Sequence, residues 1–203
     1  MSTGRAEERS AGGRRKDGRR RPSVSERLEA GEITRDEATE LTREAVLRTL
    51  TAAPKSRAEL ARSLARKGYP EDVAEHVLDR LQDVRLVDDA AYAEMIVRTR
   101  HTERGQARRA ISAELQRRGV DPETATAALE QIDGDDERAA AAELARKHVA
   151  RTRGLDRDRR VRRAVGALSR KGHNPSVAFA AVKDALAAEG ESEDLDDLIS
   201  LDD

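Results

Sequence analysis

The chain has 203 residues, of which 39% are charged and only 37% hydrophobic, a balance that excludes one large continuous apolar core. Its formal net charge is −1 and aromatics make up 1%, so neither a uniformly basic nucleic-acid binder nor an aromatic base-stacking platform is expected. The absence of cysteine excludes disulfides and thiolate metal sites, and no apolar run approaches the ~18 residues of a membrane span, so a cytoplasmic protein is expected.

In chain order, residues 1–33 read as a disordered basic arm. Positions 1–22 hold eight basic and three acidic residues, with Gly12-Gly13 and Arg19-Arg20-Arg21-Pro22 and no hydrophobic periodicity. Helical signals begin at Thr34-Arg35-Asp36-Glu37, which has capping-box spacing and opens a helix over about 37–51. Ser56-Arg57-Ala58-Glu59 repeats that spacing and opens a second helix carrying Leu60 and Leu64. Arg66-Lys67-Gly68 closes it, as cations and a left-handed glycine do at a helix C-terminus. Val77, Leu78 and Leu81 then form one stripe on a third helix, completing a unit over 34–87.

The same grammar recurs twice. A helix over 88–103 is followed by Ile111, Leu115 and Arg117-Arg118-Gly119, then by Asp121-Pro122 and the stripe Ala128, Leu129, Ile132, giving a unit over 88–134. A helix over 135–151 is followed by Ala164, Leu168 and Arg170-Lys171-Gly172, then by Asn174-Pro175 and Ala181, Val182, Ala185, giving a unit over 135–188. The three glycines stand 51 and 53 residues apart. The fold class is therefore all-α, with three tandem three-helix repeats stacked into an elongated, curved body. Residues 189–203 hold eight acidic residues and no basic one, and read as a disordered acidic tail. Within it Leu195, Leu198 and Ile199 lie at helical spacing among Asp194, Asp196 and Asp197, the pattern of a segment that orders on docking.

Charge is segregated by helix. Residues 98–118 carry a net +5 from Arg98, Arg100, Arg104, Arg108, Arg109, Arg117 and Arg118. Residues 146–171 carry a net +9, including Arg157, Arg160, Arg163 and Lys171, whereas 71–84 carry a net −4. On the helix after Gly154, Val161, Ala164, Val165 and Leu168 take the core face, which leaves Arg157, Arg160 and Arg163 for an anionic partner. The competing reading is a solvated surface whose arginines pair with the acidic third helices. No phosphate-cradling glycine loop, nucleophile elbow or metal-ligand spacing occurs, so neither enzymatic activity nor a cofactor is expected. His76, His101, His148 and His173 are expected at surfaces or boundaries.

Leu86-Val87-Asp88-Asp89-Ala90-Ala91-Tyr92-Ala93-Glu94-Met95-Ile96-Val97-Arg98-Thr99-Arg100 resembles the signature of the RecX family. There an acidic pair precedes an aromatic-Ala-x-x-aromatic-Val-x-x-Arg helix. Gly105, Ile111, Glu114-Leu115 and Arg118-Gly119-Val120 continue the likeness, which covers about residues 37–187. Ile96 stands where an aromatic is usual, and Ala107 where a second glycine is common. The resemblance implies a modulator, and specifically an inhibitor, of the RecA recombinase. Such a protein lies on the RecA–DNA filament and restrains ATP hydrolysis, strand exchange and the SOS response. It implies RecA and its filaments as partners, with at most weak non-specific DNA binding, and a monomer is expected. The alternative is a DNA-binding transcriptional regulator, because residues 56–84 read like the later helices of a helix-turn-helix. A winged version needs a hairpin where Arg85-Leu86-Val87 instead runs directly into Asp88-Asp89.

Overall fold

A computed structural model describes residues 21–199, with side chains through Gly190. These residues form ten α-helices and contain no strand. A short helix α1 (Val24–Glu29) precedes α2 (Arg35–Ala52), α3 (Arg57–Arg66) and α4 (Glu71–Asp83). Then come α5 (Asp89–Arg98), α6 (Arg108–Arg118) and α7 (Pro122–Leu129), followed by α8 (Gly134–Ala150), α9 (Arg157–Arg170) and α10 (Pro175–Ile199). A π-helical turn, Thr99–Glu103, prolongs α5 where the sequence suggests uninterrupted α-helix. It is drawn out by Gly105 at φ 58° and by the Gln106 amide, which reaches back to the Arg100 carbonyl at 3.0 Å.

Local chemistry accounts for the starts. Thr34 and Ser56 each accept from the amide three residues on, while Glu37 and Glu59 return the bond to the cap amide. Asp121 and Asp156 cap α7 and α9. Each helix triplet closes its own core. Val46, Leu60, Leu64, Val77 and Leu78 fill the first; Tyr92, Ile96, Ile111, Leu115 and Leu129 the second; and Ala145, Val149, Ala164, Leu168 and Val182 the third. Burying a leucine or isoleucine fully contributes about 1.5–3 kcal/mol. The alanine-rich third core therefore gains less per residue and relies on close helix approach.

The repeats meet end to end through the middle helices. Gly68, Gly119 and Gly172 end α3, α6 and α9 in the left-handed region, at φ 75°, 82° and 90°. Each is pressed against the start of an earlier helix. A Cβ on Gly172 would stand 2.6 Å from the Ala110 Cβ, and one on Gly119 2.5 Å from that of Ala58. Carbonyls at these helix ends accept from the earlier helix. The Ala107 amide donates to Lys171 O at 3.0 Å, and the Ser56 hydroxyl to Arg118 O at 2.7 Å. The negative end of each middle dipole thus faces the positive end of the one before.

The helix α1 completes this series. Ser23, its cap, fills the space beside Gly68, and the Ser25 amide donates to Gly68 O at 2.9 Å. The expectation of disorder over 1–33 is corrected at residues 24–29. Residues 24–29 are helical because they cover the exposed end of the first repeat, as terminal caps do in repeat proteins. At the other end, α10 runs past residue 188, the expected end of the third repeat, to Ile199. The expectations for 1–20 and 200–203 lie outside the described residues. His173, expected at a surface or boundary, is buried between repeats, with Nε2 2.9 Å from the Gly105 carbonyl.

Candidate functional site

Between the first and second repeats lies a polar network that the sequence pattern does not announce. Glu114 on α6 receives both Arg100, at 2.7 and 2.8 Å, and Arg118, at 2.7 Å. Arg118 also donates to the Tyr92 hydroxyl at 2.7 Å and to Glu59 on α3 at 3.2 Å, and Tyr92 donates to Glu59 at 2.9 Å. The hydrogen bonds from Arg100, reinforced by Arg118 against the effect of burial, hold the Glu114 carboxyl down at about 2. Burial and the hydrogen bond to Glu59 push the Tyr92 phenol up to about 12.

First-turn acids from one repeat also cap the middle helix of the repeat before it. Asp89 accepts from the Arg57 amide, and Glu137 from the Arg108 amide, each at 2.8 Å. Burial raises the Asp89 carboxyl above its ordinary range, against the lowering effect of the Arg57 amide and guanidinium.

These contacts sort the sequence-selected cations. Arg100 and Arg118 are only 14% and 25% exposed in their side chains and are held in the network. Arg160 is half-buried; it donates to Val149 O at 3.0 Å and pairs with Glu189. The structure thus corrects the assignment of these three to a free basic face, because each neutralises a carboxylate of the same chain. In the first repeat Arg57 likewise pairs with Glu75 at 2.7 Å and Asp79 at 2.5 Å on the acidic α4.

Arg98, Arg104, Arg109, Arg117, Arg157 and Arg163 are exposed, and among the described residues none is in an ion pair. Arg108 and Lys171 are half-buried. Two positions before the terminal glycine, all three middle helices carry an exposed arginine: Arg66, Arg117 and Arg170. Because the middle helices are joined end to end, these side chains recur at one place per repeat. On α9, Arg159, Arg162, Arg163 and Arg170 share a stripe at helical spacing, with Gly166 between them. The half-buried His148 is lowered first by burial and then by Arg151, Arg170 and Lys171, so it is neutral near pH 7. No helix among the described residues is long and apolar enough to cross a membrane, and no His/Cys/Asp/Glu group among them is arranged to hold a metal.

Fold and surface together define a tandem three-helix-repeat protein whose joined middle helices each carry an exposed arginine two positions before the terminal glycine. Residues 43–81 match the family description "RecX, first three-helix domain", and residues 88–129 match "RecX, second three-helix domain". The chain is 42% identical over 167 residues to a protein named Regulatory protein RecX from Streptomyces coelicolor, covering 82% of this chain and 88% of that one. It is 46% identical over 144 residues to the protein of the same name from Thermobifida fusca, covering 71% and 78%. A crystal structure of regulatory protein RecX superposes with a TM-score of 0.65 at 25% identity over 76% of each chain. That of RecX from Lactobacillus salivarius, at 21% identity over 74% of this chain and 97% of that one, gives 0.64 and shares the fold. The chain belongs to the RecX family.

Proposed function

We propose that the chain is an inhibitory modulator of RecA rather than an enzyme, acting in the cytoplasm as a monomer. It lies on the RecA–DNA filament through the exposed arginines of its second and third repeats. There it restrains ATP hydrolysis and strand exchange, and with them the SOS response, and its affinity for naked DNA is weak and independent of sequence. The observation that carries this reading is the repeated surface arginine, Arg66, Arg117 and Arg170, flanked by Arg109 and Arg163. A surface arginine contributes little to folding, whereas one that meets phosphate or carboxylate across an interface makes bidentate, charge-assisted bonds. The helix-turn-helix alternative is disfavoured by charge. The sequence-reading helix would be α4, whose segment carries a net −4, and the cap of α3 is occupied by the second repeat.

Replacing Arg109, Arg117, Arg163 and Arg170 together by Glu is expected to leave the fold intact and to lower its stability by no more than about 1–2 kcal/mol, from Arg117 and Arg170 in the last turns of α6 and α9. Inhibition of RecA ATP hydrolysis on single-stranded DNA is expected to fall by more than ~10-fold, and residual binding to lose most of its salt dependence. Arg160 is left out because its loss would unpair Glu189. A folded quadruple variant that inhibits at the same concentration as the parent chain removes the basic face from the mechanism.

A further inference from the structure

Between α9 and α10 runs an open groove of about 550 Å³, walled by those two helices alone. Its floor is Val161, Phe179 and Leu186, and its rim is Arg157, Arg162 and Lys183. Phe179 is 56% exposed, while Val161 and Leu186 pack inward on the third core. Arg157, Arg162 and Lys183 are exposed, and among the described residues none is in an ion pair. Asp158 is the one carboxylate in the lining. The first turn of α9 lies in the groove, so the positive end of its dipole adds to the cationic rim.

Counted from the terminal glycine of each middle helix, Val161, Phe179, Lys183 and Leu186 have equivalents in the other repeats. These are Arg57, Glu75, Asp79 and Gln82 in the first, and Arg108, Thr126, Glu130 and Asp133 in the second. In the first repeat they bond to one another, Arg57 reaching Gln82 at 2.8 Å, Glu75 at 2.7 Å and Asp79 at 2.5 Å. Only the third repeat has three apolar residues here, with a lysine where the others have an acid. Neither change suits a surface left in water, because exposed apolar area gains only when it is covered.

The first two repeats show what covers this place. The acidic first turn of a following helix is laid against the start of the middle helix: Asp89 of α5 accepts from the Arg57 amide and Glu137 of α8 from the Arg108 amide, each at 2.8 Å. Among the described residues no further repeat follows the third. Its middle helix α9 also begins 15 residues before its glycine, against 11 for α3 and α6, so the Val161 amide lies inside the helix. The added turn supplies Arg157 in place of a free amide. A carboxylate arriving at this end is met by guanidinium and ammonium groups instead.

We propose that the groove between α9 and α10 is the docking site for an acidic amphipathic helix of a partner protein, its apolar stripe on Val161, Phe179 and Leu186 and its carboxylates at Arg157, Arg162 and Lys183. From Phe179 to Leu186 the floor follows seven helical steps, roughly 10 Å, which apolar side chains at i, i+3 and i+7 of a docked helix span. Phe179 supplies the aromatic anchor on which binding energy concentrates, and the cations select acidic helices over basic ones. A nucleic-acid strand fits less well. Its phosphates suit the rim, but one phenyl ring between two aliphatic side chains is no stacking platform for successive bases. The site shares no residue with the Arg109, Arg117, Arg163 and Arg170 face, so the two stand or fall separately.

The chain contains no tryptophan, so Phe179→Trp in the full-length protein places a single indole reporter on the groove floor. The probe is a helix-stapled synthetic peptide of about three turns, with leucines at i, i+3 and i+7 and glutamates at the flanking positions. Its addition is expected to shift the emission to shorter wavelength and weaken acrylamide quenching several-fold, saturating with a dissociation constant below about 100 µM. Arg162→Glu with Lys183→Glu, both at exposed positions, should weaken binding by more than ~10-fold. A peptide with lysines in place of its glutamates should recover binding on that double variant alone. No saturable response up to about 1 mM overturns the proposal. So does an equal response to the peptide with its leucines changed to serine, which is charge attraction alone, or to single-stranded DNA. An indole already protected without peptide overturns it as well. Protection at every protein concentration assigns the groove to the chain's own residues beyond Gly190, and protection that grows alongside a doubled mass in sedimentation assigns it to a second copy.

Discussion

Replacing Gly172 by alanine is expected to lower stability by roughly 2–4 kcal/mol, or about 5 to 15 °C in the unfolding midpoint for a chain of this size. Two effects add. At φ 90° an L side chain is strained by about 1–2 kcal/mol. Its Cβ would also stand 2.6 Å from the Ala110 Cβ and 2.9 Å from the Ala110 amide nitrogen, so α9 must back away from α6. That movement stretches the bond from the Ala107 amide to Lys171 O and disturbs the buried His173. Gly154→Ala is an internal control. Gly154 has φ 84°, nearly the same backbone strain, but nothing lies within 4 Å of a Cβ there. Circular-dichroism melts should show Gly172→Ala losing clearly more than Gly154→Ala. They should also show the third repeat melting ahead of the other two, because stacked repeats are coupled through their interfaces. Equal losses would mean that the glycine serves only its own turn and that the repeats are not keyed together there.

How much of this could be read from residues depends on the range of the forces involved. The middle helices, their glycine ends and the stripes Leu60/Leu64, Ile111/Leu115 and Ala164/Leu168 follow from cap chemistry and helical period, which act over one or two turns. The capping box at Ser56 is legible for the same reason. Its second duty, donating to Arg118 O 62 residues away, is not. Arg118 occupies the same repeat position as Lys67 and Lys171, yet it turns inward because Glu59 and Glu114 lie on two different helices beside it. No local pattern distinguishes it from Arg117, its exposed neighbour.

The acidic pair Asp88-Asp89 shows the same limit. Asp88 caps its own helix, as expected of its position, by accepting from the Ala91 amide at 2.9 Å. Asp89 caps a helix of the preceding repeat, which only the stacking reveals. The net +5 of residues 98–118 is therefore correct as a sum but uneven in availability, since Arg100 and Arg118 are held internally while Arg98, Arg104, Arg109 and Arg117 remain exposed. The helix α1 does carry a local start signal, Ser23 and Glu26 at capping-box spacing, but its six residues lie within an arginine-rich arm and are too few to show a periodic stripe. Its reason for existing is the exposed end of α3, a tertiary cause.

Glu114→Gln is expected to cost roughly 2–3 kcal/mol at neutral pH, more than any single exposed arginine. The substitution keeps shape and hydrogen-bonding atoms but leaves Arg100 and Arg118 facing each other without their shared carboxylate, at a site where the Glu114 side chain is 15% exposed. The pH dependence is a matter of linkage. The Glu114 carboxyl titrates at about 2 in the fold, against an ordinary value of 4.5. Its contribution is therefore complete above about pH 4.5 and is lost as pH falls from there toward 2. Glu59 is also lowered and adds in the same direction: burial raises it, but the bonds from Tyr92 and the Ser56 amide, with Lys55 and Arg118 nearby, outweigh that. Asp89, raised chiefly by burial, works weakly the opposite way. Urea titrations of parent and variant at neutral pH and at about pH 3 should show the stability gap shrinking by about half in acid, since the unfolded chain binds a proton that the folded Glu114 refuses. A gap that is the same at both pH values would mean that Glu114 acts through packing alone and that its charge does not bind the first repeat to the second.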